Sequence, residues 1–241
     1  MIDFSHINKW ELGKHFDYSV LPKDTTERAI RQGCRDAIAY NCAALYAAST
    51  YWAPVIAEEL AGSDVRVAAA IGFPFGSASS PVKVCEVEEA VRLGCTAIDL
   101  TMNIGALKSG RVDDVRRELR DFKAAAGDAI TKVILDTAFL TDPEIVTACE
   151  LIAEVGLDYA KTASGQFEGP SLEQFLLMKQ TLAGTPVKLK VAGVKFPRPQ
   201  NAYTFLLAGA DLIGTRAAPE IIDALPTMRA IGLLPADVRE G

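Results

Sequence analysis

A lysine ends two strand-like segments of this chain, in DYAKTASG at residues 158–165 and in VKLKVAG at residues 187–193. These lysines are Lys161 and Lys190, and each is followed by a short, glycine-ended turn. Lysine is a poor choice for a buried strand, because removing an ammonium group from water is costly or forces the group to become neutral. A lysine held neutral by a cationic neighbour is the nucleophile that Schiff-base chemistry requires.

Comparable strand-like segments alternate with helical patterns along the whole chain. We predict strands at residues 16–21, 37–45, 66–72, 96–102, 131–136, 157–161, 187–191 and 211–214. Several are continuous apolar runs, which is typical of parallel strands covered on both faces. The segment 37–45 fits least well, since alanine is a poor strand former. Between the strands, Ser171 marks the start of a helix and Gly156 the end of another.

Eight strands that alternate with helices form either an open doubly wound sheet or a closed barrel. The glycine-rich phosphate turn of a dinucleotide-binding sheet does not follow the first strand. The sequence therefore predicts an α/β fold, a single-domain (β/α)8 TIM barrel at residues 16–234. Residues 1–15 are predicted to be an N-terminal extension, and residues 235–241 a C-terminal tail.

Composition narrows the classes of function. The net charge of −6 argues against a nucleic-acid partner and gives no basic patch for a membrane surface. No apolar run approaches the ~18 residues that span a bilayer. Five cysteines without a Cys-x-x-Cys pair suggest a reducing cytoplasm. Both histidines lie near the N-terminus, so a histidine-built metal site is not expected, and no cofactor is predicted.

Chemistry in such a barrel belongs at the C-terminal ends of the strands. Asp99, Asp136, Lys161 and Lys190 all fall there. Lysines ending adjacent strands would lie within about 5 Å, and their repulsion would help one to lose its proton. The alternative is that each lysine pairs with an interior carboxylate for structural reasons alone. Lys83 and Lys108, near predicted helix starts, are expected on solvated faces.

Around these lysines the chain resembles the deoxyribose-phosphate aldolase family, from about residue 17 to residue 221. The resemblance rests on IGFPFG at 71–76, IDLTMNIGALKSG at 98–110, KTASG at 161–165, KVAG at 190–193 and AGADLIGT at 208–215. It implies a metal-free class I aldolase, in which Lys161 forms the Schiff base, Lys190 lowers the pKa of Lys161 and Asp99 relays protons. The implied reaction reversibly cleaves 2-deoxyribose 5-phosphate, or a similar anionic aldol, into acetaldehyde and an aldehyde. The resemblance also suggests a homodimer.

The predicted anion-binding end departs from the family. Val194 follows Gly193 where the family usually has a second glycine, and Arg216 stands where it usually has a serine. Arg216 either clamps the anionic tail of a substrate, with Lys195 or Arg198 as helpers, or forms a surface ion pair. The residues expected to bind substrate are Asn103, Ser164, Gly165, Gly193, Lys195, Gly214, Thr215 and Arg216.

Three functions remain open at this point. The first is the aldolase that acts on a deoxyribose-phosphate-like compound. The second is a Schiff-base aldolase for a different phosphorylated or carboxylated sugar. The third is a non-catalytic barrel that binds sugar phosphates. In each case the expected partner is a small molecule with an anionic tail.

Overall fold

A computed structural model describes residues 2–238 of the chain as a closed barrel of eight parallel strands, in the order β1 to β8. The strands are β1 Phe16–Val20, β2 Ala44–Ala47, β3 Arg66–Ile71, β4 Ala97–Thr101, β5 Ile130–Ile134, β6 Tyr159–Lys161, β7 Lys188–Ala192 and β8 Leu212–Thr215. The helices are α1 Lys9–Gly13, α2 Glu27–Ala39, α3 Ala53–Glu59, α4 Ser80–Arg92, α5 Ile104–Lys108, α6 Val112–Ala126, α7 Asp142–Val155, α8 Leu172–Thr181, α9 Arg198–Ala208, α10 Ala218–Asp223 and α11 Leu225–Ala230. The predicted (β/α)8 barrel is confirmed.

Strand register decides which side chains meet inside the barrel. Lys161 of β6 is paired with Lys190 of β7, and Asp99 of β4 with Lys132 of β5. Since side chains alternate along a strand, these four residues all face the barrel interior. Beneath them, small apolar side chains such as Ala68 and Ala97 fill the interior.

Helix boundaries follow local capping chemistry. The side chain of Ser171 accepts a hydrogen bond from the backbone N–H of Gln174, whose side chain accepts one from the N–H of Ser171, so α8 begins with a capping box. At the end of α7, Gly156 has φ 75°, a left-handed conformation that glycine adopts without a steric cost. Both boundaries predicted from the sequence are confirmed.

The predicted strand at residues 37–45 is wrong. Residues 37–39 are the last turn of α2, and the strand begins only at Ala44. Asn41, with φ 52°, turns the chain between the two elements. Alanine favours the helix, and the buried face of α2 continues through Ala37, so helical packing decides the conformation of this segment.

Both termini of the described chain pack against each other. Phe4, Ile7 and Leu12, from the predicted N-terminal extension, are buried in the main hydrophobic core. The guanidinium of Arg229 donates hydrogen bonds to the carbonyls of Phe4 and Ile7. Of the predicted tail, Val238 donates a backbone hydrogen bond to Ser5, and residues 239–241 lie outside the described residues. Within residues 2–238 no helix has both the length and the apolarity to cross a bilayer.

Lys83 is buried, which corrects the prediction that it lies on a solvated helix start. Its Nζ lies 2.8 Å from Oε2 of Glu118 and 2.9 Å from the carbonyl oxygen of Thr101. Oε1 of Glu118 accepts a hydrogen bond from the N–H of Asn103. This ion pair therefore ties α4 and α6 to the end of β4. Lys108 is 43% exposed at its side chain and pairs with Glu144 on the surface, as predicted.

We predict that Lys83→Met lowers the free energy of unfolding by about 3–5 kcal/mol, because Glu118 is left charged and buried without its partner. Lys108→Met is the control and should cost less than about 1 kcal/mol, since its ion pair is exposed. Urea unfolding measures both. Replacing the pair together, as Lys83→Met with Glu118→Leu, should recover part of the loss. Equal effects of the two single substitutions would contradict the prediction.

Candidate active site

The centre of the site is the buried carboxylate of Asp99, at the C-terminal half of β4. Its Oδ2 accepts hydrogen bonds from Nζ of Lys161, at 2.7 Å, and from Nζ of Lys190, at 2.8 Å. Asp99 has no exposed surface, and Lys190 is 1% exposed. Two amines thus share one acceptor oxygen inside the barrel, so their charges are strongly coupled.

Three further side chains extend this cluster. Lys132 of β5 donates hydrogen bonds to Oδ2 of Asp17, at 2.7 Å, and to the hydroxyl of Tyr46, at 2.9 Å. The hydroxyl of Tyr46 donates to Oδ1 of Asp99, at 2.7 Å. Lys190 also lies 2.7 Å from Oδ2 of Asp17. All three added residues are buried.

The charges of this cluster do not balance if every group is ionised. Two carboxylates, Asp17 and Asp99, face three amines, so one amine is in excess. Lys190 contacts both carboxylates, whereas Lys132 and Lys161 each contact one carboxylate, which they share with Lys190. Because an uncompensated buried charge is costly, one of these two amines is expected to lose its proton, and Lys161, unlike Lys132, lines a cleft at the C-terminal end of the barrel.

Burial lowers the pKa of Lys132 as well as that of Lys161. Burial lowers the pKa of Lys161 to about 8, and the charge of Lys190 acts in the same direction, while Asp99 opposes it. Burial would also lower the pKa of Lys190, but Asp17 and Asp99 outweigh it and raise that pKa above its usual value. Burial would raise the pKa of Asp99, but Lys161 and Lys190 hold it far below its usual range. The amine of Lys161 therefore loses its proton at a lower pH than the neighbouring amine of Lys190.

A small cleft opens beside Lys161 at the C-terminal ends of β1, β6, β7 and β8. Its lining residues are Ser19, Leu21, Lys161, Ser164, Gly165, Ala192, Gly193, Val194, Arg198, Gly214, Thr215 and Arg216. The buried amine of Lys161 and two arginines, the half-buried Arg198 and the exposed Arg216, therefore line one cleft. Within residues 2–238, neither Arg198 nor Arg216 forms an ion pair.

Two glycines are needed where the cleft meets the barrel. A Cβ atom at residue 214 would lie 2.9 Å from Cε of Lys190, so Gly214 leaves room for that lysine. Gly193 has φ 78°, and a Cβ there would lie 2.9 Å from Cα of Gly169 in the loop after β6. The absence of these side chains allows the two loops and the buried amine to approach closely.

Three exposed aromatic rings, from loops after β3, β5 and β6, contact one another at the C-terminal end of the barrel. Phe75, in the loop after β3, contacts Phe167, in the loop after β6, with ring centroids 5.7 Å apart. Phe139, after β5, packs edge-on against Phe167 at 5.6 Å. These contacts join loops that follow three different strands.

Some residues expected to bind substrate do not line the cleft. Asn103 caps α5, and its side chain accepts a hydrogen bond from the N–H of Ala106. Lys195 pairs with Glu168 on the surface, at 2.9 Å. Asp136 does not contact either lysine; its Oδ1 accepts a hydrogen bond from the N–H of Ser164 and so anchors the turn after Lys161. The other candidates, Ser164, Gly165, Gly193, Gly214, Thr215 and Arg216, all line the cleft.

Comparison with known proteins identifies the family. Residues 13–196 match the model of the DeoC/LacD family of aldolases. The deoxyribose-phosphate aldolase of Brevibacillus brevis is 37% identical over 217 residues, which cover 90% of this chain and 97% of that protein. The chain belongs to the DeoC/LacD aldolase family. It is therefore an aldolase, a carbon–carbon lyase.

Other relatives agree with this assignment. The deoxyribose-phosphate aldolase of Clostridium novyi is 33% identical over 221 residues, which cover 91% of this chain and 98% of that protein. A solved structure of an aldolase, QR15, superposes with a TM-score of 0.83 at 30% identity and covers 92% of this chain and 99% of that one. The tetrameric deoxyribose-phosphate aldolase of Aeropyrum pernix shares the fold, with a TM-score of 0.81 at 22% identity over 92% of this chain and 93% of that one.

Sequence reasoning missed Asp17, Tyr46 and Lys132. Lys132 is a lysine inside a predicted strand, which is the same signal that singled out Lys161. Asp17 likewise lies inside a predicted strand. Tyr46 was missed because the predicted second strand, residues 37–45, ends one residue before it.

Within residues 2–238 no group of three or more His, Cys, Asp or Glu side chains is arranged to hold a metal ion.

We predict that Lys161 reacts with aldehydes faster as pH rises towards 8. The neutral amine is the nucleophile, and with a pKa of about 8 roughly a tenth of it is neutral at pH 7. Below pH 7 the rate should fall about tenfold per pH unit, and above about pH 9 it should level off, because nearly all of the amine is then neutral. Trapping of an aldehyde with cyanoborohydride, followed by peptide mass spectrometry, measures the rate at Lys161. A rate that still rises about tenfold per pH unit above about pH 9 would contradict the prediction.

Proposed function

We propose that this protein is a class I aldolase that forms a Schiff base on Lys161 and reversibly cleaves 2-deoxyribose 5-phosphate, or a close anionic analogue, into acetaldehyde and a phosphorylated aldehyde. The observation that carries the proposal is the amine of Lys161 at the inner end of the cleft, with its pKa lowered to about 8 beside the charged Lys190. The relatives named deoxyribose-phosphate aldolase support the choice of substrate.

The first step requires a neutral amine. Nζ of Lys161 attacks the carbonyl carbon of the open-chain sugar, and the resulting carbinolamine loses water to give an iminium ion. The departing hydroxyl takes up a proton from solvent through a water molecule in the cleft and leaves as water, while Lys190 stays protonated. The carboxylate of Asp99 then balances the new positive charge on the nitrogen of Lys161. The cluster therefore gains one positive charge in this step, at the nitrogen of Lys161.

The second step breaks a carbon–carbon bond. The hydroxyl two carbons away from the iminium carbon loses its proton to a water or to a base, and its C–O bond becomes the carbonyl of the leaving aldehyde. The electron pair of the broken bond moves into the iminium, which becomes a neutral enamine. Protonation of the enamine carbon and hydrolysis of the iminium release acetaldehyde and return Lys161. Asp99 and a water shuttle the protons in these steps.

The anionic tail is proposed to bind at the outer end of the cleft. Arg216 is exposed and Arg198 half-buried, and both guanidiniums line the cleft together with Gly193. A guanidinium offers a planar pair of donors that matches a phosphate or carboxylate. Arg216 would thus bind the anionic tail by its charge, where the family usually uses serine hydroxyls. Lys195 is a weaker candidate, since Glu168 already pairs with it.

A second candidate substrate is an aldol with a terminal carboxylate. One feature of the cleft favours it: Val194, which follows Gly193 where the family usually has a second glycine, lines the cleft. Retro-aldol cleavage of matched phosphorylated and carboxylated substrates decides between the two. If the carboxylated compound has the higher kcat/KM, the phosphate assignment is wrong and the Schiff-base chemistry stands.

The cellular setting is part of the same proposal. None of the five cysteines forms a disulfide, and burial raises the pKa of four thiols, at Cys34, Cys42, Cys95 and Cys149, to about 12. Unpaired, unreactive thiols fit a reducing cytoplasm. The homodimer suggested by the resemblance stays a prediction, which light scattering tests directly.

We predict that Lys161→Met abolishes both the trapped adduct and retro-aldol cleavage, with a loss of many orders of magnitude in kcat. Methionine cannot form a Schiff base, and it leaves two carboxylates facing two ammonium groups, so the fold should survive. The control is Lys188→Ala, which removes an exposed lysine from β7 and should leave activity unchanged. Intact mass spectrometry with acetaldehyde and borohydride, together with a cleavage assay, measures the result. A folded wild-type protein without an adduct on Lys161 would leave only a binding role.

We predict that Arg216→Ala raises KM for 2-deoxyribose 5-phosphate about 10- to 100-fold, since a hydrogen bond to a charged group contributes about 1.5–3 kcal/mol. Cleavage of unphosphorylated 2-deoxyribose should change little, because it has no anionic tail. Arg35→Ala, on the exposed face of α2, is the matched control. An unchanged KM for the phosphorylated substrate would show that Arg216 does not bind the tail.

A further inference from the structure

Tyr46 completes a closed circuit of hydrogen bonds inside the barrel. The circuit runs from Asp99 to Tyr46, then to Lys132, Asp17 and Lys190, and returns to Asp99. Two carboxylates and two ammonium groups make this circuit electrically neutral. Tyr46 is its uncharged member and joins the Lys132–Asp17 pair to Asp99.

The contacts of Tyr46 fix its orientation from three sides. Its hydroxyl donates to Oδ1 of Asp99, at 2.7 Å, and accepts from Nζ of Lys132, at 2.9 Å. Nζ of Lys190 lies 4.0 Å from the centroid of the ring, where the negative face of an aromatic ring attracts a cation. Tyr46 is 2% exposed. Burial and the neighbouring Asp99 raise its pKa well above the usual value, so the hydroxyl keeps its proton and remains a donor.

We propose that Tyr46 is a positioning residue for the pair Lys161 and Lys190. Its hydroxyl donates a hydrogen bond to Oδ1 of Asp99, so that Oδ2 faces both lysines. Its ring stabilises the ammonium group of Lys190. The proposal rests on the proposed Schiff-base function of Lys161. Tyr46 touches neither the cleft nor a substrate, so it acts through Asp99 and Lys190.

The physical consequence concerns how tightly Asp99 holds the ammonium form of Lys161. A donor on Oδ1 withdraws part of the carboxylate charge and prevents the group from rotating. Without that donor, Asp99 becomes a stronger partner for a cation, and the ammonium form of Lys161 is favoured. The neutral, reactive amine would then become common only at higher pH.

Titratable groups face this cluster from several elements. Asp17 reaches it from β1, Asp99 from β4, Lys132 from β5, Lys161 from β6 and Lys190 from β7. Four outer groups act at longer range: Asp136 interacts with Lys161, Cys95 with Tyr46, and Cys42 and Tyr159 with Asp17. The ring of Tyr159 also lies 5.2 Å from Nζ of Lys132. The hydroxyl of Tyr46 itself bonds Asp99 and Lys132, so removing it changes mainly these two groups.

The decisive experiment is Tyr46→Phe, which removes the hydroxyl and keeps the ring. We expect the acidic limb of the kcat/KM profile to move about one unit to higher pH. The rate of reductive trapping of acetaldehyde on Lys161 should show the same shift. At pH 7 both should fall about tenfold, and both should return to the wild-type level near pH 10, where the amine is neutral in either protein. Tyr159→Phe, the same change on β6 outside the circuit, should keep the wild-type profile.

Two results would overturn the proposal. One is a Tyr46→Phe profile that coincides with the wild-type profile. The other is a uniform loss at every pH, which is what a merely structural role produces. If Tyr46→Phe does not fold, the tyrosines of the wild-type chain can be replaced with 3-fluorotyrosine, whose hydroxyl is a stronger donor. The acidic limb of the kcat/KM profile should then shift to lower pH. An unshifted profile would also overturn the proposal. A wild-type protein that forms no adduct at all would instead refute the Schiff-base function.

Discussion

The structure depends on one buried carboxylate oxygen that holds two amines. Oδ2 of Asp99 lies within 2.8 Å of both Lys161 and Lys190, in a region without exposed surface. Burying ions in this way is costly unless their charges cancel. With two carboxylates and three lysines in the cluster, cancellation requires that one lysine be neutral. The same constraint that stabilises the interior thus prepares a nucleophile.

Geometry decides which lysine becomes neutral. Lys190 lies between Asp17 and Asp99, so its charge is compensated twice. Lys161 ends the three-residue strand β6 and opens onto the cleft, with a share of Asp99 as its compensation. The amine that loses its proton most readily is therefore also the one that a substrate can reach. Gly214 contributes by leaving the space that the side chain of Lys190 occupies.

The two ends of the cleft are built from different parts of the fold. The amine end comes from side chains inside the barrel, fixed by strand register and by mutual hydrogen bonds. The outer end comes from loops after β7 and β8, where Val194 and Arg216 replace residues usual in the family. Loops tolerate substitution far better than a packed, charge-balanced interior. Substrate tails can diverge in such a family while the covalent chemistry is retained.

The sequence by itself determined the barrel and the placement of Lys161 and Lys190 on adjacent strands, because apolar runs and glycine-ended turns are local signals. The family motifs added Asp99 as a proton relay. The predictions of a strand at residues 37–45 and of a solvated Lys83 were wrong, because packing against distant elements overrides local preference there. Only the closed tertiary structure brings Asp17, Tyr46 and Lys132 into one circuit with Asp99. Their strands are distant in sequence, and the contacts exist only once the ring of strands has closed and set the register.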